Sequence, residues 1–400
     1  MSEQQERSGT LTVALCSMVA ILEGFDLQAA GVAAPRLAPA LHLDPHQLGW
    51  FLSSGTFGLM LGAAIGGRMS DRFGRKMALL VSIILFGMLS LATGLASDLP
   101  SLLTARFLTG VGLGGALPNL IALVAESVPL EKRGVTVGLM YSSLPFGGAV
   151  VSLVSMFGLG GGPGTDWQLV FLIGGLAPLL VVPMVIKFMP QGRIAAATAK
   201  PTGLFDAIFG QRRMPVTFTL WLGFFMGLLV LYLLLNWLPS LLITRGLSRG
   251  DSALVMASFN LLGAIGSAGA GWLMDRQRWR GYTALGIFTA AGLSLAAAEL
   301  IDAAFGTWLL VGGALGAAIC GCQSVIYGLS PSCYPAPVRG TGVGAAVSMG
   351  RLGSAVGPLI GSQMVAAGFD STQVLLAMLP ILAISGIAVL ALSLRPHAEI

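Results

Sequence analysis

Long apolar segments follow one another along this chain, and they constrain its fold more than any other feature. A window of about 19 residues resolves roughly twelve of them. They lie at 10–33, 48–69, 77–97, 101–125, 135–158, 167–189, 217–243, 252–274, 282–303, 306–330, 339–366 and 371–394. Each is far longer than the strands of about ten residues that build membrane barrels, so helices are the expected spanning structure. The sequence predicts an all-α polytopic membrane protein.

The charged residues support this fold class and predict an orientation. They make up only 10 % of the chain, whereas a soluble domain has about a quarter. Basic residues such as Arg72, Lys132 and Arg212 gather in alternate loops, and the opposite loops hold acids such as Asp44 and Asp98. This asymmetry follows the positive-inside rule and predicts an even number of spans with both termini in the cytoplasm. The net charge of +5 therefore reports topology, and no nucleic-acid partner is expected.

Two patterns occur once in each half of the chain. The loops after the second and eighth segments both have a glycine four residues before an Asp-Arg pair, and two later loops both end in Arg-Gly. The copies are Gly67 with Asp71-Arg72, Gly271 with Asp275-Arg276, Arg133-Gly134 and Arg339-Gly340. Such a repeat indicates a duplicated six-helix unit. We expect one bundle at 1–189, a cytoplasmic linker at 190–216 and a second bundle at 217–400, with a site between the repeats that suits alternating access.

Four charged residues fall deep within the apolar segments: Glu23, Asp26, Arg106 and Arg351. Each costs about 2.5–3.5 kcal/mol in a bilayer, so they should face a cavity or each other. From a rise of about 1.5 Å per residue, Asp26 and Arg106 are expected at one level in the outer half. One interpretation is a pair of structural salt bridges that only fasten helices together.

The functional interpretation uses the same four side chains. The proton affinity of a buried carboxylate depends on its surroundings, which suits Asp26, and secondarily Glu23, to proton coupling. An arginine binds a carboxylate with two parallel hydrogen bonds, which suits Arg106 and Arg351 to a substrate carboxylate or a charge relay.

Further candidates are polar and aromatic side chains near the same depth. An aromatic ligand favours apolar walls with a few amide or phenol partners, and Tyr232, Asn236, Gln323 and Tyr327 could supply them. Plain hydrogen bonding between helices explains each one equally well. Cys320 and Cys322 are expected to be small buried residues, because no histidine or further thiol is near enough in sequence to complete a metal site. No metal or cofactor is expected, and no nucleophile or phosphate-binding motif indicates an enzyme.

Two motifs resemble those of known transporters. The stretch Gly67-Arg-Met-Ser-Asp71-Arg72-Phe-Gly74-Arg75-Lys76 is similar to the signature loop of the major facilitator superfamily. Glu23-Gly-Phe-Asp26 resembles the helix-one motif of the aromatic acid:proton symporters, which usually have Asp at the position of Glu23. The resemblance implies twelve transmembrane helices in two pseudo-symmetric six-helix bundles. It also implies a cytoplasmic gating motif made of Gly67, Asp71, Arg72, Gly74, Arg75, Lys76, Asp275 and Arg276.

The resemblance implies a function as well. We expect proton-coupled uptake of an aromatic carboxylate, such as 3-(3-hydroxyphenyl)propionate or a related hydroxylated phenylpropionate or benzoate, by alternating access. The proton gradient would drive it without a cofactor, in a protein that crosses the bacterial inner membrane many times and acts as a monomer. The alternative is a proton-driven efflux antiporter for small organic anions or drugs, because a fold does not set the direction of transport.

Overall fold

A computed structural model describes residues 3–129, 133–156, 166–189, 204–210, 213–274, 280–298, 304–335 and 338–394. Regular structure in these ranges is entirely helical. The α-helices are α1 (Glu3–Ala40), α2 (Pro45–Phe73), α3 (Arg75–Gly94), α4 (Leu99–Ser127), α5 (Arg133–Met156), α6 (Asp166–Phe188), α7 (Leu204–Phe209), α8 (Met214–Thr244), α9 (Arg249–Met274), α10 (Arg280–Ala297), α11 (Phe305–Leu329), α12 (Arg339–Ala366) and α13 (Ser371–Ser393). A short 3-10 helix, Ser330–Cys333, follows α11.

Every predicted apolar segment corresponds to one helix, which confirms the fold class. Eleven of the described helices are long and apolar enough to cross a membrane, and α10 is a shorter apolar helix over Gly281–Ala297. The predicted segment 282–303 ends at residues that lie outside the described ranges. The short helix α7 falls inside the predicted linker 190–216. Most of the rest of that linker lies outside the described residues. The predicted domain boundaries therefore remain a prediction.

Short sequence signals fix several helix ends. Asp44, Asp98 and Asp370 each accept a hydrogen bond from the backbone amide three residues later, and so cap the starts of α2, α4 and α13. The bond from the Ser101 amide lowers the pKa of the exposed Asp98 carboxyl. Between α2 and α3, Gly74 has φ 87° and ψ 158°, a conformation that only glycine adopts readily. This glycine is the single residue between the end of α2 at Phe73 and the start of α3 at Arg75.

The described helices form two compact units. The first unit contains α1 to α6 and the opening of α9, Ser248–Ala257. Within it α1 packs on α5, α2 on α4, and α3 on both α4 and α6. The seams are close because glycines lie in them: a side chain at Gly147 of α5 would meet the Ile21 carbonyl of α1, and one at Gly110 of α4 would meet the Gly55 carbonyl of α2.

The second unit contains α7, α8, the rest of α9 and α10 to α13. Here α8 packs on α12, and α10 packs on α13. Helices α9 and α11 lie so close that a side chain at Gly316 would meet the Phe259 carbonyl, while one at Gly357 of α12 would meet the Leu229 carbonyl of α8. Counted over the long helices, α1 to α6 and α8 to α13, both sets therefore pair the first helix with the fifth, the second with the fourth and the third with the sixth. This shared pairing is the internal repeat that the sequence predicts.

Candidate functional site

A buried ion pair lies in the first unit, between α1 and α4. The Asp26 side chain is 0 % exposed and the Arg106 side chain is 5 % exposed. Arg106 Nη1 donates to both carboxylate oxygens of Asp26, at 3.3 Å to Oδ1 and 3.2 Å to Oδ2. Arg106 Nη2 also reaches the Asp26 backbone carbonyl at 3.4 Å. The two residues that the sequence places at one depth are therefore in direct contact.

Helices α3 and α6 complete the surroundings of this pair. Ser90 Oγ of α3 donates to Asp26 Oδ1 at 2.8 Å, and it lies 3.2 Å from the Phe171 carbonyl of α6. The Arg106 guanidinium lies over the Phe171 ring, 5.4 Å from its centroid, where the ring face attracts a cation. Sequence reasoning did not select Ser90 or Phe171, because neither residue is unusual in an apolar helix.

Small residues make this arrangement possible. A Cβ added at Gly55 of α2 would lie 3.3 Å from Arg106 Nη2, so the glycine leaves room for the guanidinium. Gly87 of α3 and Gly175 of α6 face each other, and a side chain at either position would press on the opposite backbone. The close approach brings the Phe171 carbonyl within reach of Ser90. Arg106 Nε is buried and donates to no partner among the described residues.

The second predicted acid lies nearby on α1. Glu23 is 1 % exposed and sits three residues before Asp26. Gln28, also buried, packs its amide against Gly148 of α5, where a Cβ would collide with it. Within two turns α1 therefore buries two acids, three residues apart on one face, and an amide that points to a different side of the helix. In a membrane-spanning segment, buried acids and amides carry a high cost in free energy unless they are paired.

The second unit has its own polar contact, partly buried between α8 and α12. Arg351 Nη1 donates to the Tyr232 hydroxyl at 2.9 Å. Asn236 Nδ2 donates to the Tyr232 backbone carbonyl at 2.8 Å, one turn earlier on the same helix. Trp237 Nε1 donates to the Pro358 carbonyl at 2.9 Å and ties α8 to α12. Tyr232 is thus a predicted pocket residue that contacts Arg351.

The other two predicted pocket residues lie on α11. Gln323 is 9 % exposed, and its Oε1 accepts no hydrogen bond from the described residues. The Tyr327 ring packs edge-on against Phe224 of α8, with centroids 5.0 Å apart. In the part of the chain that the structure describes, no group of three or more His, Cys, Asp or Glu side chains is arranged to hold a metal ion.

Comparison with known proteins decides the family. A family model described as the Major Facilitator Superfamily matches residues 16–356. This chain belongs to the Major Facilitator Superfamily. It is 42 % identical to the 3-(3-hydroxy-phenyl)propionate transporter of Escherichia coli strain K12, over 96 % of this chain and 94 % of that one. It is 34 % identical to the gallate transporter of Pseudomonas putida, over 90 % of this chain and 86 % of that one.

Solved structures agree with the superfamily fold. A crystal structure of a D-xylose-proton symporter superposes with a TM-score of 0.78 at 20 % sequence identity. The match covers 96 % of this chain and 97 % of that one. At this identity the likeness supports the arrangement of the helices and nothing finer.

The superfamily signature loop, residues 67–76, makes contacts within the first unit. Arg75 Nη1 lies 2.6 Å from the Glu126 carboxylate at the end of α4. Lys76 Nζ donates to the Ile186 and Met189 carbonyls at the end of α6, at 2.8 and 2.7 Å. These two cations thus join α3 to both neighbouring helices, and Glu126 is a partner that sequence reasoning missed.

The structure describes the surroundings of some other predicted members of the gating motif, and not of the rest. The exposed Arg72 guanidinium lies 5.3 Å from the centroid of the adjacent Phe73 ring. A Cβ at Gly67 would have no atom within 4 Å. The Asp71 side chain and both Asp275 and Arg276 lie outside the described residues. The gating role remains a prediction.

Proposed function

We propose that this superfamily member is a proton-coupled symporter that takes up an aromatic carboxylate. The observation that carries the proposal is the buried Asp26, held by Arg106 and Ser90 inside the first unit. A carboxylate at this depth is costly, so its presence calls for a role. Reversible protonation is such a role, because the neutral acid no longer needs the arginine.

Proton binding then changes what Arg106 can do. When Asp26 is ionised, the guanidinium is neutralised by it. When Asp26 takes up a proton, Arg106 keeps its charge and becomes available to an anion, since arginine stays protonated. Arg351 of the second unit is a further candidate cation for the substrate carboxylate, and Tyr232 orients its guanidinium. Symport follows if the protein switches between outward and inward access in only one loaded state. In that state the carboxylate of Asp26 is protonated and the substrate anion balances the charge of Arg106.

The substrate class comes from the relatives. The compounds in the names of the E. coli and P. putida transporters are both aromatic acids with ring hydroxyl groups. We therefore propose a hydroxylated aromatic carboxylate, with 3-(3-hydroxyphenyl)propionate as the first compound to test. Tyr232, Asn236, Gln323 and Tyr327 are the proposed pocket residues, because a phenolic ring needs apolar walls with a few polar partners.

Further parts of the proposal concern the protein as a whole. It is a multi-pass membrane transporter, and we propose the bacterial inner membrane with both termini in the cytoplasm, on the evidence of the loop charges. We propose that it works as a monomer without a cofactor and catalyses no chemical reaction. The signature loop would hold one conformation of the transport cycle closed at the cytoplasmic side.

The test is uptake of labelled 3-(3-hydroxyphenyl)propionate into proteoliposomes, with and without an inward proton gradient. Benzoate and a sugar serve as competitors. We expect accumulation that requires the gradient and that aromatic acids alone inhibit, and we expect Asp26→Asn to lose accumulation while inserting normally. Release from preloaded vesicles on acidification of the opposite side, without uptake, would instead indicate an efflux antiporter. Full accumulation by Asp26→Asn would refute the assignment of the proton site.

A further inference from the structure

We propose that Ser90 is a positioning residue whose hydroxyl reverses its hydrogen bond when Asp26 binds a proton. The inference rests on the proposed function only in that Asp26 is the group that is protonated. Ser90 lies on α3 and is completely buried. Its Oγ is 2.8 Å from Asp26 Oδ1 of α1 and 3.2 Å from the Phe171 carbonyl of α6.

The hydroxyl hydrogen of Ser90 has two possible acceptors, Asp26 Oδ1 and the Phe171 carbonyl. A serine hydroxyl has a single hydrogen and two lone pairs, so it donates to one of these oxygens at a time. A bond to an ionised carboxylate is shorter and about twice as strong as a neutral one, and the 2.8 Å distance to Asp26 is the shorter of the two. In the ionised state the hydroxyl therefore donates to Asp26.

Protonation of Asp26 inverts this arrangement without moving the heavy atoms. The proton comes from water and forms an O–H bond on the carboxyl group, and no other covalent bond changes. That O–H needs an acceptor, because an unpaired buried donor costs about 1–3 kcal/mol. Ser90 Oγ accepts it and turns its own hydrogen to the Phe171 carbonyl. The hydroxyl thus joins α1, α3 and α6 in both protonation states.

Other charged groups near Asp26 do not replace this function. Arg106 of α4 contacts the carboxylate but can only donate. The remaining titratable residues of α1 in its apolar part are Cys16, Glu23 and Arg36, and α5 contributes Tyr141. The other described titratable side chains of α2 to α6 lie toward the helix ends, among them Arg68, Arg75, Lys76, Glu126 and Lys187. In the described contacts, only Ser90 can both donate to Asp26 and accept from it.

The test reads the protonation of Asp26 directly, without transport. Infrared difference spectra of proteoliposomes across pH record the carbonyl stretch of a protonated acid, and its absence in Asp26→Asn assigns the band. We expect Ser90→Ala to change the band position and to move the midpoint to higher pH by about one unit, a tenfold change in proton affinity. The ionised carboxylate loses the stronger bond, so protonation becomes easier. Ser90→Thr, which keeps the hydroxyl, should restore both values.

Thr93→Val is the matched control, because it removes a buried hydroxyl of the same helix that donates to Leu89 O, away from Asp26. It should leave band and midpoint unchanged. A wild-type band and midpoint in Ser90→Ala, or an equal shift in Thr93→Val, would overturn the proposal. Absence of any band that Asp26→Asn removes would overturn it together with the role of Asp26. The uptake assay of the wild type tests symport separately, so the two failures can be told apart.

Discussion

The Asp26–Arg106 pair predicts a specific pattern of stability at the level of single residues. Arg106→Gln leaves a buried carboxylate without its cation, which typically costs about 3–5 kcal/mol. Asp26→Asn combined with Arg106→Gln leaves two neutral amides and should cost less than the sum of the single changes. The loss in Arg106→Gln should shrink as the pH falls, because a protonated acid needs no cation. Denaturant unfolding of the four proteins in one detergent, at two pH values, measures this coupling.

Additive effects in that cycle, equal at both pH values, would mean that the two charges stabilise the protein independently. The same comparison can be made with Arg351→Gln, whose guanidinium is held by a neutral hydroxyl, Tyr232. Its removal leaves no buried charge unpaired at Tyr232. Loss of this contact alone should therefore cost less than loss of the contact between Asp26 and Arg106.

Individual residues also show why part of the site was visible in the sequence. A charged residue in an apolar segment is rare and conspicuous, which identified Glu23, Asp26, Arg106 and Arg351. A serine is not conspicuous, since its hydroxyl is easily satisfied by the carbonyl one turn earlier, as in Ser152, which donates to Gly148. Ser90 differs only through its neighbours from other helices. No pattern within one helix reveals such a contact.

The helix seams lead to a prediction about glycines. Gly147 of α5 lies against the Ile21 carbonyl of α1, whereas a Cβ at Gly138 of the same helix would meet no atom within 4 Å. Gly147→Ala should force α1 and α5 apart, and overpacking of this kind costs about 1–3 kcal/mol. Gly138→Ala should be neutral, or stabilising by up to about 1 kcal/mol, because alanine favours a helix. Thermal unfolding of the two variants in the same detergent compares them.

If both glycine variants melt alike, the closeness of this seam does not limit stability. Uptake by Gly147→Ala adds a second readout, since Gly147 borders the stretch of α1 that leads to Asp26. A separated seam should lower uptake by more than the loss of folded protein explains. Gly138→Ala should transport normally.

The helices themselves were predictable, but their ends were only partly so. Hydropathy marks the part of a helix that lies in the membrane, and it located every segment. The predicted segment 10–33 is α1, which runs from Glu3 to Ala40 through Pro35 and Pro39. Polar residues before the apolar stretch, and a segment with two prolines after it, continued the helix beyond the predicted bounds. By contrast, the cap residue Asp98 and the turn residue Gly74 set sharp ends, because their effects are local.

At the scale of the whole molecule, two units with the same helix pairing contain different polar chemistry. The first unit pairs an acid with an arginine, and the second pairs a phenol with an arginine. Duplication explains why the two units share the same helix seams. Later divergence explains why their polar pairs differ. Under the proposed function, the first unit would bind the proton and the second would contribute to substrate binding. The sequence predicted the repeat from two loop patterns, whereas the different chemistry required the contacts.

The loop charges of the whole chain lead to the last prediction, which concerns orientation. Phe73 in the signature loop is 59 % exposed, and Leu95 between α3 and α4 is 74 % exposed. The positive-inside rule places the first position in the cytoplasm and the second outside.

Three of the four native cysteines are buried, and the fourth, Cys320, is only partly accessible, so their reaction with a polar maleimide should be weak. In spheroplasts, a membrane-impermeant maleimide should label Leu95→Cys at once and Phe73→Cys only after permeabilisation. The wild-type chain gives the background. Labelling in the opposite order would show that the orientation is the reverse of the predicted one. Under the proposed function, Asp26 would then receive its proton from the other side of the membrane.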